Sequence, residues 1–276
     1  MMESRFPFPD ALRAVIFDWA GTMIDFGSRA PVIALCQTFA EHGVPITEAE
    51  AHEDMGRAKW DHIARLLAKP RIAQAWSETK GSEATPQDAR ILFEAIGPAM
   101  IEAARECAIL VPGAAEVACG LQRAGVKVGS CTGYTRAMME AILPYAAEQG
   151  YRPDHVVCAG ETPEGRPSPL MAWKNLVELG AWPAYACVKV DDTEVGIAEG
   201  RAAGMWTVGV AASGNEIGLT AQALTMLPPD ERQRLIARAT DRLMTAGAHL
   251  VIATVADLPE ALGHLPIGSP LDVRVP

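Results

Sequence analysis

Short apolar runs that stop abruptly on a polar residue recur along this chain, and between them the apolar positions fall at helical spacing. The first, Arg13-Ala-Val-Ile-Phe17, runs into Asp18 and then into Gly21-Thr22, a strand followed by a turn. From Ala30 to about Cys107 the pattern predicts helices and no good strand: Pro31–His42, Thr47–Met55, Arg57–Ala68, Pro70–Thr79 and one from Thr85 onward. Thr47 with Glu50 fits a capping box, and Thr85-Pro86 supplies an N-cap with proline at the first helical position. After Pro112-Gly113, strands are expected at Lys127–Cys131, His155–Cys158, Ala186–Val190, Trp206–Val210 and His249–Ile252, each separated from the next by a helical stretch. That alternation is the pattern of parallel crossover units. The expected architecture is α/β: a doubly wound parallel sheet formed by residues 1–27 and 108–276, interrupted after its first strand by a helical cap, residues 28–107. The tail from Ile267 to Pro276 shows no periodicity.

Composition narrows the functions such a fold can serve. The 276 residues are 49% hydrophobic, 21% charged and only 6% aromatic, which argues against a disordered chain and against aromatic stacking platforms for nucleic acid. The formal net charge of −10 repels polyanions overall, although a small anion can still bind a local basic pocket. The six cysteines, Cys36, Cys107, Cys119, Cys131, Cys158 and Cys187, include no C-x-x-C pair and read as reduced core thiols. The even spacing of Cys107, Cys119 and Cys131 lacks a compact Cys/His pair, so no zinc site is expected. The segment Met1–Ala11 carries Glu3, Arg5 and Asp10 and does not read as a signal peptide, and no apolar run reaches the roughly 20 residues of a bilayer span. A cytoplasmic protein without nucleic-acid or membrane partners is expected.

The expected strand ends carry the chemistry. Asp18 follows the first, Thr132 lies in Ser-Cys-Thr-Gly, Arg166 lies in Gly-Arg-Pro-Ser-Pro, and Asp191-Asp192-Thr193 follows the strand at Ala186–Val190. The C-terminal edge of a parallel sheet is where ligands gather. There one aspartate can attack phosphorus, a hydroxyl and backbone N–H groups can hold phosphoryl oxygens, a cation can neutralise them, and a second aspartate can help to hold magnesium. An aspartate after an apolar strand is by itself often only a cap or turn residue.

Four such motifs in this order resemble the haloacid dehalogenase superfamily, and the resemblance implies a Rossmann-like core under a cap. One departure is informative. Most phosphatases of that superfamily read Asp-x-Asp at the first motif, the second aspartate protonating the leaving alkoxide, whereas this chain reads Asp18-Trp19-Ala20-Gly21-Thr22. Alanine moves no proton. The cap segment Met55-Gly56-Arg57-Ala58-Lys59-Trp60-Asp61-His62 offers another route, since Lys59, one of only six lysines, lies three residues before His62 on one helix face. An imine between Lys59 and an aldehyde accepts electrons from an adjacent breaking carbon–phosphorus bond and leaves an enamine, so no alkoxide has to be protonated.

Asp-Trp-Ala-Gly-Thr, the Met-Gly-x-x-Lys-x-Asp-His element and Thr132-Gly133-Tyr134-Thr135 together resemble the phosphonatase family of that superfamily, as do Gly165-Arg166-Pro167 and the run Gly204–Val210. The resemblance covers Arg13 to Leu262 and implies hydrolysis of phosphonoacetaldehyde to acetaldehyde and phosphate, with Mg2+, by a homodimer. It implies Asp18 as nucleophile, Lys59 as imine former and His62 as a proton shuttle. Thr132, Gly133 and Arg166 would grip the phosphonate, Met55 and Tyr134 would stand around the imine, and Asp18, the Ala20 carbonyl and Asp192 would hold the metal. Arg166 stands where many superfamily members carry lysine, and its planar fork can take two oxygens at once. Gly196 stands four residues after Asp192, where many relatives place an acid, and Asp191 or Glu194 are the candidates to compensate. Two other readings stay open on the sequence: a superfamily phosphatase or phosphomutase acting on a small phosphate ester, with Lys59 only binding the anion, and a non-catalytic phosphate-sensing module. Ala20 argues against the first.

Overall fold

The computed structural model describes residues 8–53 and 59–270. These divide into two compact units, one running from Arg29 to Cys107 and the other made of the residues up to Ser28 together with those from Ala108 onward. Strand β1 (Ala14–Phe17) comes first, followed by α1 (Ala30–Glu41), α2 (Glu48–His52), α3 (Lys59–Ala68), α4 (Pro70–Lys80) and α5 (Pro86–Glu106) of the helical unit. The chain then returns through α6 (Ala114–Arg123), β2 (Lys127–Thr135), α7 (Arg136–Glu148), β3 (His155–Ala159), α8 (Leu170–Leu179), β4 (Cys187–Asp191) and α9 (Glu194–Ala202). It ends with β5 (Trp206–Val210), α10 (Ala221–Met226), α11 (Pro229–Thr245), β6 (Leu250–Ile252) and α12 (Leu258–Leu262). No helix among the described residues is long and apolar enough to cross a membrane.

The six strands form one sheet in the order β3-β2-β1-β4-β5-β6, all of its pairs parallel. Every residue of β1, β4 and β5 is buried. Because successive side chains point to opposite faces, both faces of the sheet centre are covered, which is why these strands read as mostly apolar runs without alternation. Strand order reverses direction at β1, which lies between β2 and β4, and the crevice at its C-terminal end is the topological switch point of the sheet. Phe17 pairs with Ser130 on one side and Val190 on the other, and the Asp18 N–H donates to the Val190 carbonyl at 2.9 Å. The residues that follow, Asp18, Cys131 and Asp191, therefore come level at that crevice.

Two expectations need correction. Strand β2 does not stop at Cys131 but continues to Thr135, with a register shift against β3 between Cys131 and Thr135. Gly133 lies within this irregularity, and pairing resumes at Thr135, whose hydroxyl accepts the Met138 N–H and caps α7. Of the six cysteines, all free, Cys131, Cys158 and Cys187 are core residues, while Cys36, Cys107 and Cys119 are only half-buried. In the helical unit both caps form as full boxes: Thr47 with Glu50, and Thr85 with Asp88. The expected end of the helix at Met55 and the start of the next at Arg57 lie outside the described residues.

Candidate active site

Asp18 is held at the end of β1, buried and ion-paired with Arg166, whose Nη2 lies 2.7 Å from Asp18 Oδ1. The same Nη2 donates to the Cys131 carbonyl at 2.5 Å, so the arginine of the loop between β3 and α8 bridges the end of β1 and the middle of β2. Its Nε lies 3.2 Å from Glu199 Oε2, and Nη2 lies 3.5 Å from Asp191 Oδ2. Thr132 is buried in the bulged end of β2, and its hydroxyl accepts the Tyr134 N–H at 3.1 Å; Tyr134 is buried and Gly133 exposed.

Asp192 sits just past β4, its carboxylate accepting the Asn215 N–H at 2.7 Å with the Thr22 hydroxyl 3.4 Å away. Gly21 makes this approach possible. It has φ +84°, and a Cβ there would lie 2.3 Å from Asp192 Oδ2. The loop that carries Ala20 and Gly21 is tied down in turn by the Ser213 hydroxyl, which donates to the Gly21 carbonyl at 2.7 Å. Ala20 itself is half-buried and bridges to Ile24.

Gly196 has a reason in this geometry. A Cβ at that position would fall 2.0 Å from the Asp191 carboxylate, so Asp191 occupies the space into which an acid at 196 would grow. Asp191 is fixed there by Lys189 Nζ at 2.9 Å and by the Thr193 hydroxyl and N–H at 2.7 and 3.0 Å. Glu194, the other candidate, is turned away to an exposed pair with Arg242.

Asp18, Asp191 and Asp192 can each offer an oxygen within 4.8 Å of the others. With Glu199 they make four buried carboxylates against two cations, the buried Lys189 and the half-buried Arg166, which leaves two negative charges when all are ionised. A set of hard oxygen donors with that charge fits a divalent cation. Burial and the mutual repulsion of these carboxylates shift their pKa values. Burial, and then the charge of Asp191, raises the Asp18 carboxyl from 3.8 to about 6 against the opposing pull of Arg166 and Lys189. Burial, and then Asp18 and Asp191, push Asp192 well above its ordinary value. Asp191 alone is held below the usual range, because Arg166 and Lys189 together outweigh the burial that would raise it.

In the helical unit Lys59 opens α3 and is partly buried, and burial lowers its pKa below that of an ordinary lysine. His62, Ile63 and Leu66 are buried at the third, fourth and seventh positions beyond it, so Lys59 heads the buried stripe of the helix. Met55 lies outside the described residues. Sequence reasoning missed Lys189 and Glu199. The signal for the first was a lysine in the middle of an apolar strand, Val188-Lys189-Val190, at even spacing from Asp191.

Residues 12–204 match the haloacid dehalogenase-like hydrolases. The chain is 50% identical over 254 residues to the phosphonoacetaldehyde hydrolase of Hahella chejuensis, which covers 92% of this chain and 86% of that protein. It is 49% identical over 247 residues to the phosphonoacetaldehyde hydrolase of Paraburkholderia phytofirmans, covering 90% and 92%. The crystal structure of a phosphonoacetaldehyde hydrolase-like protein from Oleispira antarctica superposes with a TM-score of 0.83 at 42% identity, covering 98% of this chain and all of that one. With a family match over most of its length and relatives this similar, the chain belongs to the phosphonoacetaldehyde hydrolases of the haloacid dehalogenase-like family.

Proposed function

We propose that this protein hydrolyses the carbon–phosphorus bond of phosphonoacetaldehyde, giving acetaldehyde and phosphate, with Lys59 and Asp18 acting on the same substrate molecule. The relatives named for that activity support it. The observation that carries the chemistry is the pairing of a buried, cation-supported Asp18 with alanine two residues on, where an ester phosphatase would need an acid.

The neutral Lys59 amine adds to the aldehyde, takes up a proton and loses water to form a protonated imine. The carbon–phosphorus electron pair moves into that imine to leave an enamine, and an Asp18 oxygen takes the phosphoryl group. A proton added at carbon, with His62 of the same helix as the shuttle, converts the enamine to the acetaldehyde imine. One water frees Lys59 and another cleaves the Asp18 acyl phosphate. Arg166, Thr132 and the Gly133 N–H hold the phosphoryl oxygens, and Tyr134 and Met55 stand around the imine. Asp18, Asp192 and the Ala20 carbonyl would hold magnesium, which supplies positive charge to the phosphoryl oxygens when bound. Two copies of the chain form the working unit in this proposal. Exposed Trp173 and Val177, one turn apart on α8, and exposed Trp182 just beyond it are the apolar surface a second copy would cover, and sedimentation of a Trp182→Glu variant as monomer is the expected result.

Borohydride reduction in the presence of phosphonoacetaldehyde, followed by peptide mass mapping, tests the central step. A reduced two-carbon adduct on Lys59 is expected. Adduct on another lysine, or full turnover with none formed, would refute imine catalysis at this position.

A further inference from the structure

Two charged side chains inside the core have no part in the proposed chemistry. Lys189 in β4 and Glu199 in α9 are both fully buried, and Lys189 Nζ lies 3.4 Å from Glu199 Oε2. The fold makes room for them. A Cβ at Gly200 would lie 2.7 Å from Lys189 Cβ, as one at Gly196 would strike Asp191, so two glycines one turn apart on α9 form a groove filled by charged side chains of β4. Burying such a pair is no route to stability in itself, since apolar residues of similar volume do as well or better. What distinguishes Glu199 is its other neighbour, the Nε of Arg166.

Among the described residues, the guanidinium meets its partners through Nε and Nη2: Glu199 at the first, Asp18, Asp191 and the Cys131 carbonyl at the second. The covalent geometry of arginine puts these two nitrogens on one edge, and with that edge facing Glu199 and the aspartates the edge formed by Nη1 and Nη2 is the one left to meet two phosphoryl oxygens side by side. When a phosphoryl group arrives at Asp18, the Arg166–Asp18 pair has to be shared with it. The contact of Nε with Glu199 is an ion pair without a hydrogen bond, and it lies on a nitrogen that does not meet Asp18.

We propose that Glu199, with Lys189 as its counter-charge, is a positioning residue that holds the Arg166 guanidinium with its outer edge turned to the phosphoryl oxygens. The inference rests on the reading of Arg166 as the phosphoryl-binding cation. Lys189 acts in two ways. It balances Glu199, and through its contact with Asp191 Oδ2 it keeps that carboxylate from competing for Arg166.

Calorimetric titration of the full chain with inorganic phosphate in the presence of magnesium separates the two statements. Arg166→Ala is expected to weaken phosphate binding strongly, and an unchanged affinity would overturn the reading of Arg166 itself. Glu199→Gln keeps the shape and one acceptor and removes the charge. It is expected to weaken phosphate about tenfold, the scale on which supporting partners act, and to raise KM for phosphonoacetaldehyde more than it lowers kcat. In the Arg166→Ala background the same substitution should change phosphate affinity less than about twofold, because its route of action is gone. If Glu199 were only a nearby negative charge, neutralising it would tighten phosphate; tighter binding, unchanged binding, or an equal loss in both backgrounds would each overturn the proposal while leaving Arg166 in place. Should Glu199→Gln not fold, Lys189→Met with Glu199→Gln removes one charge of each sign, and the same tenfold loss is expected of it.

Discussion

In the proposed reaction a single amine carries the chemistry of the helical unit. Lys59 is at the head of a buried stripe, and its lowered pKa means that the neutral, nucleophilic form is reached at lower pH than for a solvated lysine. Lys59→Arg keeps the positive charge and cannot form an imine, so turnover of phosphonoacetaldehyde should disappear while phosphate binding to the core is retained; a variant that still turns over substantially would remove the imine from the mechanism. A second residue-scale prediction concerns Gly196. The approach of an added Cβ to within 2.0 Å of the Asp191 carboxylate cannot be relieved by a small rotation, because Lys189 and Thr193 hold that carboxylate. Gly196→Ala should destabilise the protein by about 2 kcal/mol in urea unfolding, the scale of an overpacked core position. A loss within experimental error of zero would mean that Asp191 can swing away.

At the scale of elements, the helices of the second unit are defined by their ends more than by their length. Helix α2 has five residues, too few to persist on its own. Its box is reciprocal, with the Glu50 N–H donating to the Thr47 hydroxyl at 3.2 Å and the Thr47 N–H to Glu50 at 2.9 Å. Arg71 of α4 then donates to the same carboxylate from Nε and Nη2, both at 2.6 Å. Chiefly through the Arg71 hydrogen bond, the Glu50 carboxyl falls from 4.5 to about 2. A carboxyl lowered on folding contributes stability that is present above pH 4.5 and is lost as pH falls toward 2. Amide hydrogen exchange should therefore show α2 opening first in that window, Glu50→Gln should abolish the pH dependence, and Thr47→Ala should cost about 1 kcal/mol of local protection at neutral pH. The sequence shows this box plainly, because both partners lie within four residues. It does not show Arg71 joining, which depends on how α4 folds back. The end of β2 was hidden for a related reason: the apolar run stops at Cys131, and only the pairing of Thr135 with Ala159 across the bulge shows that the strand continues.

For the core as a whole, Asp18, Asp191 and Asp192 lie close enough together that the ionisation of each depends on the others. Raised pKa values at Asp18 and Asp192 mean that the folded protein binds more protons than the unfolded chain between about pH 4, where an ordinary aspartate titrates, and the value near 6 reached by Asp18. Stability in the absence of a cation therefore falls as pH rises through that window. A divalent cation favours the ionised carboxylates, so magnesium should raise the melting temperature by several degrees at pH 7.5 and much less at pH 5. Scanning calorimetry against an EDTA control measures both, and equal gains at the two pH values would place the cation elsewhere. Asp18, Thr132, Arg166 and Asp192 were legible because each closes or follows an apolar run, in an order that parallel strands convert into a common edge. Lys189 and Glu199 were not, since their meeting depends on the packing of α9 across β4 and on two glycines whose purpose only the packed structure shows. The tight fit at Gly196 also has a meaning for ancestry. A carboxylate rooted at 191 and one rooted at 196 exclude each other, so a lineage could trade one for the other only by changing both codons, and aligned descendants should sort into two classes, acid–glycine and small–acid, with the mixed acid–acid class missing.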